Sequence, residues 1–370
     1  MRVTSLIALM FVSTEAIAAQ QITTIRPDGQ CAECRIEILR SVALGDETGS
    51  GTIDHSESVA VRDSRGNFIV NGNYSTFLKV FDRSGRFVRT IGREGGGPGE
   101  FRGVGAMDVL PGDTLVVFDW GTSRYSLFSA HHEFLAAGPL PLTPEQQVIA
   151  IPTGDFVFNS TMFSASEIGQ PLHRVGRDGK LTLSFGSNST VFRPDIPYLL
   201  SRAITRSRGS LLWSSLRTTY QVDLLDSRRG TTVRSLRRDV SWFPPATTSV
   251  PRGRAEEIEP KPFIFDITED SAGLLWVLIG VPDPEWRGAV TPAKPGEHAQ
   301  VLDDHGYRDT VLEVIDPARG TVLATARMKE RVSHFVSAGI VGTVLEGIDG
   351  IPRLQTWTVR LVTTPQAGSR

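Results

Sequence analysis

Cys31 and Cys34 are the only cysteines of the chain, and their spacing suits a redox dithiol, half of a metal site or a local disulfide. No His follows Cys34, so covalent haem attachment through Cys-x-x-Cys-His is excluded. The pair precedes a β-compatible run, whereas a thioredoxin-like dithiol stands at the start of a helix. Two cysteines three residues apart can form a disulfide where the backbone turns between them. We therefore expect a disulfide, with free thiols or a metal or redox role as the alternatives.

Two further motifs that look like sites lack a necessary part. The glycine-rich segment 92–101 has no Gly-Lys-Ser/Thr of a phosphate-binding loop, because Glu100 and Phe101 follow its glycines. His131 and His132 are neighbours, and neighbouring strand residues point to opposite faces, so a shared metal ion is not expected.

The chain has 39 Lys plus Arg and 41 Asp plus Glu, a net charge of −2. This balance gives no long-range field for nucleic acid, so no nucleic-acid partner is expected.

The first residues predict export. Arg2 gives a positive start, residues 3–12 form a short apolar run, and Ala16-Ile17-Ala18 is a small-x-small cleavage pattern. Residues 1–19 therefore indicate a signal peptide, with an uncleaved N-terminal anchor as the alternative. No later apolar run reaches the ~18 residues of a spanning helix, so no membrane span is expected. The expected location is the periplasm or the outside of the cell.

Four short apolar runs separated by turns recur along the rest of the chain. In the clearest copy, 57–92, the runs SVAVRD, NFIV, FLKVFD and RFVRTIG are separated by Gly-containing or polar turns. Apolar residues such as Phe68 and Val70 recur with the period of two that is typical of half-buried strands. A single four-stranded unit cannot bury both of its faces. The units must therefore pack side by side, as repeats do.

These repeats predict an all-β protein with one six-bladed β-propeller over 31–363. The last unit is one strand short, and 34–44 is a β-compatible run that would complete it as an outer strand. Closure of the ring in this way leaves only short, protected edges. A seventh blade or another all-β arrangement is the alternative. The expected blades are 57–92, 104–139, 147–186, 201–239, 263–327, and 333–363 with 34–44, followed by a tail at 364–370.

The segment IGREGGGPGEF at 91–101 resembles the linker that joins blades in NHL-repeat propellers. The phrases VFDRSGRFVRTIGR at 80–93 and TLVVFDWGTSRYSLFS at 114–129 resemble the same repeats, and later units keep only the order of strands. The likeness implies an exported bacterial six-bladed propeller similar to NHL-repeat or TolB-like proteins. It implies little about chemistry, because propellers include both enzymes and binding platforms. The glycines are expected to permit positive φ and close backbone approach at the crossing between blades.

Lactonase-like six-bladed propellers hold a divalent cation at the channel mouth with Asp, Asn and Glu from several blades. Of five matching positions of this chain, just after the second strand of a blade, three carry Asn71, Asp119 and Asn159, and the other two carry Ser214 and Gly280. The resemblance therefore implies a candidate Ca²⁺ site at these three residues. Asn and Asp are also favoured in turns, so the expected cofactor is none, with Ca²⁺ as the alternative.

Two long proline-rich insertions, 239–262 and 281–309, are expected on the same face of the propeller. One joins successive blades and the other joins the second and third strands of a blade. Both carry aromatic and arginine residues, the types enriched at binding hot spots. The alternative is that the tryptophans only pin their own loops. The candidate binding face consists of Trp242, Phe243, Trp286, Arg287, Tyr307 and Arg308.

The sequence thus predicts a noncatalytic exported propeller that serves as a binding platform for a protein, peptide or glycan partner. A metal-dependent hydrolase or lyase on the same scaffold is the alternative. No catalytic residue is assigned, and the sequence leaves the ligand and the oligomeric state open.

Overall fold

The architecture consists of six antiparallel sheets of four strands, one of which gains a fifth strand. A computed structural model of the chain provides the coordinates. The predicted signal peptide and the tail at 364–370 lie outside the residues that the structure describes. Those residues are 22–26, 31–53, 58–72, 74–141, 147–160, 169–186, 201–244, 259–291, 300–347 and 349–363.

Blades one to three follow one another along the chain, and each starts at the central channel and ends at the rim. The strands of blade one are β3 (Val59–Arg62), β4 (Phe68–Asn71), β5 (Leu78–Phe81) and β6 (Phe87–Ile91). Those of blade two are β7 (Val104–Val109), β8 (Leu115–Asp119), β9 (Arg124–Phe128) and β10 (Phe134–Pro139). Those of blade three are β11 (Val148–Ala150), β12 (Phe156–Asn159), β13 (Leu172–Val175) and β14 (Leu181–Phe185).

Blades four to six contain both ends of the described chain. Blade four has β15 (Arg202–Arg206), β16 (Leu211–Leu216), β17 (Gln221–Asp226), β18 (Thr231–Arg237) and, outermost, β1 (Ile22–Thr24). Blade five has β19 (Phe263–Glu269), β20 (Leu275–Pro282), β21 (Arg308–Asp316) and β22 (Thr321–Met328). Blade six has β23 (His334–Ser337), β24 (Ile340–Glu346), β25 (Pro352–Thr363) and, outermost, β2 (Cys34–Leu44). Short helices occur at Gly49–Gly51, Trp286–Ala289 and α1 (Asp304–Tyr307).

The ring closes through β2, as the sequence predicts. This strand pairs antiparallel with β25, from Cys34 opposite Thr363 to Leu44 opposite Leu354. The backbone groups at the rim of blade six are therefore paired by the N-terminal part of the chain. The all-β, six-bladed prediction is confirmed.

The sequence analysis did not predict that β1 lies on blade four. It pairs parallel with β18, with Ile22 opposite Ser235. The chain then crosses to blade five, where the Arg26 amide donates to the Gly320 carbonyl at 3.0 Å. Ile25, between these two contacts, is buried in the apolar cluster shared by blades four and five. Residues 22–26 thus form a strap that ties the rims of two blades together before the chain reaches blade six.

Each pair of neighbouring blades encloses its own apolar cluster. Along β4, Phe68 and Val70 face blade six, while Ile69 between them faces blade two. Both faces of a blade are therefore buried, and this is why the central strands read as continuous apolar runs. Between blades two and three, Phe118 packs edge-on against Phe156 and Phe158 at 5.2 and 5.6 Å between ring centroids.

The linker from blade one to blade two requires glycine at Gly92. Its φ is +80°, and a Cβ there would meet the Phe101 ring at 2.3 Å. Phe101 is itself fully buried between the two blades. The Glu100 carboxylate holds the loop by accepting from the Gly97 amide at 2.7 Å and pairing with Arg93 at 2.8 Å. The glycines therefore allow close packing at the crossing, which is the role expected from the sequence.

Antiparallel order fixes which connections share a face. Turns between the first and second and between the third and fourth strands lie on one face, called here the lower face. Connections between the second and third strands and between blades lie on the other, the upper face. Among the residues that the structure describes, no helix is long and apolar enough to cross a membrane.

Candidate functional site

The Asp119 carboxylate, one of the three candidate Ca²⁺ ligands, is saturated with protein donors. Its Oδ2 accepts from the Arg102 amide at 3.0 Å and the Thr122 hydroxyl at 2.6 Å. Its Oδ1 accepts from the amides of Gly103 at 2.9 Å and Gly121 at 3.0 Å. A cation could bind these oxygens only if this turn lost those hydrogen bonds.

The two asparagines of the candidate Ca²⁺ site fasten one blade to the next. Asn71 donates through Nδ2 to the Val104 carbonyl at 3.2 Å. Asn159 donates to the Pro171 carbonyl at 3.0 Å and accepts from the Arg202 amide at 2.9 Å. Of the side-chain oxygens of these three residues, Asn71 Oδ1 alone has no hydrogen-bond partner among the described residues, and the Ca²⁺ site stays a prediction. Among the described residues, no group of three or more His, Cys, Asp or Glu side chains could hold a metal ion.

The central channel encloses about 530 Å³ and is lined by the inner strands of all six blades. Polar contacts brace it between blades that are not neighbours. Gln147 of the segment before β11 donates to Asp266 Oδ1 at 2.7 Å, from blade three to blade five. The Arg206 guanidinium pairs with Asp108, from blade four to blade two. Sequence reasoning missed this network, although charged residues within short inner strands are its signal.

Asp266 links blades five, three and six. Its oxygens accept from Gln147, from the Ile267 amide at 2.9 Å and from the Phe335 amide at 2.9 Å. Burial raises the pKa of the Asp266 carboxyl, and these hydrogen bonds and the Arg217 charge offset that effect only in part. The hydrogen bonds to this carboxylate therefore stabilise the closed ring of blades.

His334 joins blade six to blade one at the same channel. Its Nε2 accepts from the Ala60 amide at 3.4 Å. Burial, with a smaller contribution from the Arg331 charge, lowers the pKa of His334 from 6.5 to about 4. The imidazole is therefore neutral at physiological pH, which suits an acceptor role.

On the upper face, Trp242 and Phe243 of the candidate binding face differ in their exposure to solvent. The Trp242 side chain is 38% exposed, whereas Phe243 is buried. Both rings pack near Tyr220, at centroid distances of 6.3 and 5.4 Å. Only Trp242 of this pair is placed to contact a partner.

The insertion after β20 forms a small apolar cluster of its own. Trp286 and Tyr307 are buried in it, with ring centroids 6.2 Å apart. Arg287 lies over the Trp286 ring at 4.7 Å, and Arg308 over the Tyr307 ring at 4.9 Å. The expectation that both aromatic rings form an exposed surface therefore needs correction, because they hold their own loop together.

A groove of about 620 Å³ lies on the upper side between blades four and five, and we call it the blade-4/5 groove. Its lining consists of Arg238, Trp242, Val281, Pro282, Val311, Glu313, Thr325, Ala326 and Arg327. Arg238 follows β18 of blade four, Trp242 lies in the next turn, and blade five supplies the other residues. Sequence reasoning did not single out Arg238 or Glu313. The signal was a Glu in the otherwise apolar run 311–315 of β21.

Glu313 is the most connected polar group of this groove. It pairs with Arg238 Nη2 at 3.0 Å, and their side chains are 1% and 7% exposed. It also accepts from the Tyr220 hydroxyl and from the Thr325 hydroxyl, the latter at 3.2 Å. Burial raises the pKa of Glu313, and these partners counteract the rise.

Cys31 and Cys34 form a disulfide, with their Cα atoms 5.2 Å apart. It joins the first residue of β2 to the turn that precedes this strand. His132, from the lower-face turn of blade two, contacts Arg89 Nη2 through Nδ1 at 2.8 Å. This pair ties blade two to blade one.

Comparison with known proteins is informative about fold. The family model DUF5128, described as a 6-bladed beta-propeller, matches residues 52–185. No curated protein matches the chain. A member of the DUF4221 family from Bacteroides vulgatus has a TM-score of 0.59 at 9% identity, over 89% of this chain and 99% of that chain. A protein from Bacteroides fragilis whose name describes it as exported has a TM-score of 0.58 at 11% identity, over 93% of this chain and 100% of that chain.

A streptogramin B lyase matches with a TM-score of 0.43 at 12% identity, over 88% of this chain and 98% of that chain. This likeness is too distant to bear on activity. The fold defines the class: the protein is a six-bladed β-propeller. The resemblance stated from the linker at 91–101 is thereby confirmed for the architecture, and at these identities it concerns the fold alone.

Proposed function

We propose that the protein is a noncatalytic exported propeller that binds a protein or peptide partner through its upper face at blades four and five. The observation that carries this proposal is the blade-4/5 groove with Trp242 exposed at its rim. Concave sites with an apolar lining and a few convergent polar groups are the usual form of a binding site. The signal-peptide pattern at 1–19 supports a location in the periplasm or outside the cell.

The carboxylates of the groove and the channel favour ligand binding over catalysis. Glu313, the carboxylate in the groove, is held by Arg238, Tyr220 and Thr325 and is not free to act as a general base. The channel carboxylates Asp266 and Asp108 are likewise engaged between blades. Among the described residues, no observation favours the hydrolase or lyase alternative.

Site-specific photo-cross-linking tests the proposal. A benzophenone amino acid replaces Trp242 in the exported full-length protein, and a matched control replaces Phe134, which is also 38% exposed but lies on the rim of blade two. We expect a discrete cross-linked partner from position 242 and none from position 134 after irradiation of intact cells. Absence of an adduct at 242, or the same adducts from both positions, would contradict the proposal.

A further inference from the structure

Two carboxylates lie at the upper end of the blade-five wall of the blade-4/5 groove. Asp309 precedes Val311 by two residues on β21, and alternation along a strand places both side chains on the same face. Asp283 follows β20, and its amide donates to the Tyr307 carbonyl at 3.3 Å, which continues the pairing of the two strands. Asp283 therefore shares that face with Val281. Because Val281 and Val311 line the groove, the two carboxylates adjoin its mouth.

Asp283 and Asp309 are close enough for each to act on the charge of the other. Burial raises the pKa of the Asp309 carboxyl and Asp283 raises it further, whereas Arg327 lowers it. The Asp309 side chain is 4% exposed and its Oδ2 pairs with Arg327 at 2.6 Å, but its Oδ1 has no hydrogen-bond partner among the described residues. Arg308, the next cation along β21, lies on the opposite face of that strand. A second cation beside the two carboxylates would relieve their repulsion.

The charged side chains at the groove sum to a net negative charge. Arg238 pairs with Glu313, and Arg327 pairs with Asp309. Asp283 adds a further negative charge, and among the described residues no ion pair balances it. Its side chain is only half-buried. The mouth of the groove therefore has one carboxylate in excess, and a positively charged group of a partner is complementary to it.

Trp242 supplies the other side of a site for a cationic side chain. Its ring lines the blade-four side of the groove and is 38% exposed. The face of an indole ring attracts ammonium and guanidinium groups. On the blade-five side, Val281, Pro282 and Val311 form an apolar wall, against which the methylene groups of a lysine or arginine side chain can pack. A volume of about 620 Å³ suits such a side chain and not a folded domain.

We propose that the blade-4/5 groove binds a lysine or arginine side chain of a protein or peptide partner. Its cation lies at Asp283 and Asp309, and its methylene groups lie between Trp242 and the apolar wall of blade five. This inference rests on the proposed function, because it specifies which group of the partner enters the groove. An anionic group would meet the excess carboxylate, and a neutral group would leave the repulsion between the two carboxylates unrelieved.

Calorimetric titration of the full-length protein at low salt tests the inference. The probes are pentapeptides, acetyl-Ser-Gly-X-Gly-Ser-amide, in which X is lysine, arginine, acetyl-lysine, leucine or glutamate. Acetyl-lysine is the matched control for lysine, because it keeps the methylene groups and removes the charge. We expect the lysine or the arginine peptide to bind at least about tenfold more tightly than the three others, because hydrogen bonds between charged groups are strong. Equal binding of the lysine and acetyl-lysine peptides, or no binding by either cationic peptide, overturns the inference.

Asp283→Asn removes the excess charge and keeps an oxygen that can accept from the Glu285 amide, as Asp283 Oδ1 does at 2.6 Å. The matched control is Glu133→Gln, an exposed carboxylate in the lower-face turn of blade two. Both variants change the net charge of the protein by the same amount. We expect Asp283→Asn to weaken binding of the cationic peptide at least about tenfold and Glu133→Gln to leave it unchanged. The same loss in both variants, or no loss in the first, contradicts the site assignment.

The indole ring is tested separately. Trp242→Leu keeps an apolar side chain at the groove and removes the aromatic face, whereas Trp242→Phe keeps an aromatic face. We expect the leucine variant to lose more affinity for the cationic peptide than the phenylalanine variant does. Equal losses would contradict the contact between the cation and the ring.

Calcium chloride separates a side-chain site from a metal site, because two carboxylates also suit a divalent cation. If Ca²⁺ binds the wild type but not Asp283→Asn, and the lysine peptide does not displace it, the assignment to a side chain is wrong. A partner cross-linked at position 242 together with equal binding of the lysine and acetyl-lysine peptides removes the inference and leaves the proposed function. A preference for lysine without a cross-linked partner supports the site and contradicts the proposed function.

Discussion

The central channel and the blade-4/5 groove both contain buried charged side chains, but they use them differently. In the channel, Asp266 accepts from blades three, five and six, so its oxygens are occupied by the fold. In the groove, Arg238 makes one side-chain ion pair, and its Nε and Nη1 are without partners among the described residues. Buried polar groups that are saturated serve the architecture. The buried, unpartnered nitrogens of Arg238 are what distinguishes it from Asp266, and leaving buried donors unpaired costs stability.

The largest expected effect comes from Asp266→Ala. The substitution leaves Gln147 and two backbone amides without their acceptor and removes a negative charge near buried Arg217. We expect the free energy of unfolding to fall by about 3–5 kcal/mol. Urea denaturation followed by circular dichroism measures it. Exposed Asp239→Ala is the control and should change it by less than about 0.5 kcal/mol. A small effect at Asp266 would mean that the channel network is not structural.

Arg238→Met should have a smaller effect than Asp266→Ala. It removes the cation beside Glu313, whose side chain is 1% exposed, but Tyr220 and Thr325 remain as donors. We expect a loss of about 2–3 kcal/mol in the same urea assay at pH 7. The double variant Arg238→Met with Glu313→Gln should recover part of this loss, because no buried charge is left unpaired. If Arg238→Met costs as much as Asp266→Ala, the contrast between the two regions disappears.

The pH dependence of stability tests the state of the buried channel histidine. The pKa of His334 is lowered from 6.5 to about 4, so the unfolded state binds its proton more tightly. The contribution of His334 is therefore fully present above pH 6.5 and is lost as the pH falls towards 4. Burial also lowers the pKa of His132 to about 4, so only the difference between wild type and His334→Gln isolates the channel histidine. That difference in unfolding free energy should be constant above pH 6.5 and shrink below it. A difference independent of pH between 4 and 7 contradicts a neutral buried imidazole.

The smallest effect on stability is expected at the rim of the groove. Trp242 is 38% exposed, so Trp242→Ala should lower the free energy of unfolding by no more than about 1 kcal/mol. Trp286→Ala, in the buried cluster of the insertion, should cost about 3–5 kcal/mol. Thermal denaturation of the two variants side by side checks this. Similar losses would mean that Trp242 also serves mainly to hold its loop.

The sequence predicted the fold well because period-two alternation and glycine turns are local signals. The closing role of 34–44 followed from counting strands in the last unit. The strap at 22–26 was not predicted, since three residues of a parallel strand carry no pattern of their own. For the site, the sequence could place polar residues after strands but not their partners. Asn71, Asp119 and Asn159 are at the expected positions, yet backbone amides occupy the oxygens of Asp119 and Asn159.

The placement of β2 and the strap has a consequence for the order in which the protein folds. Arg40 and Gln355 hydrogen-bond across 315 residues of sequence. The segments that are synthesised first thus find their partners only when the last blade has been made. Long loop closures of this kind slow folding. We expect the polypeptide to become resistant to proteases only after its final strand is available for pairing.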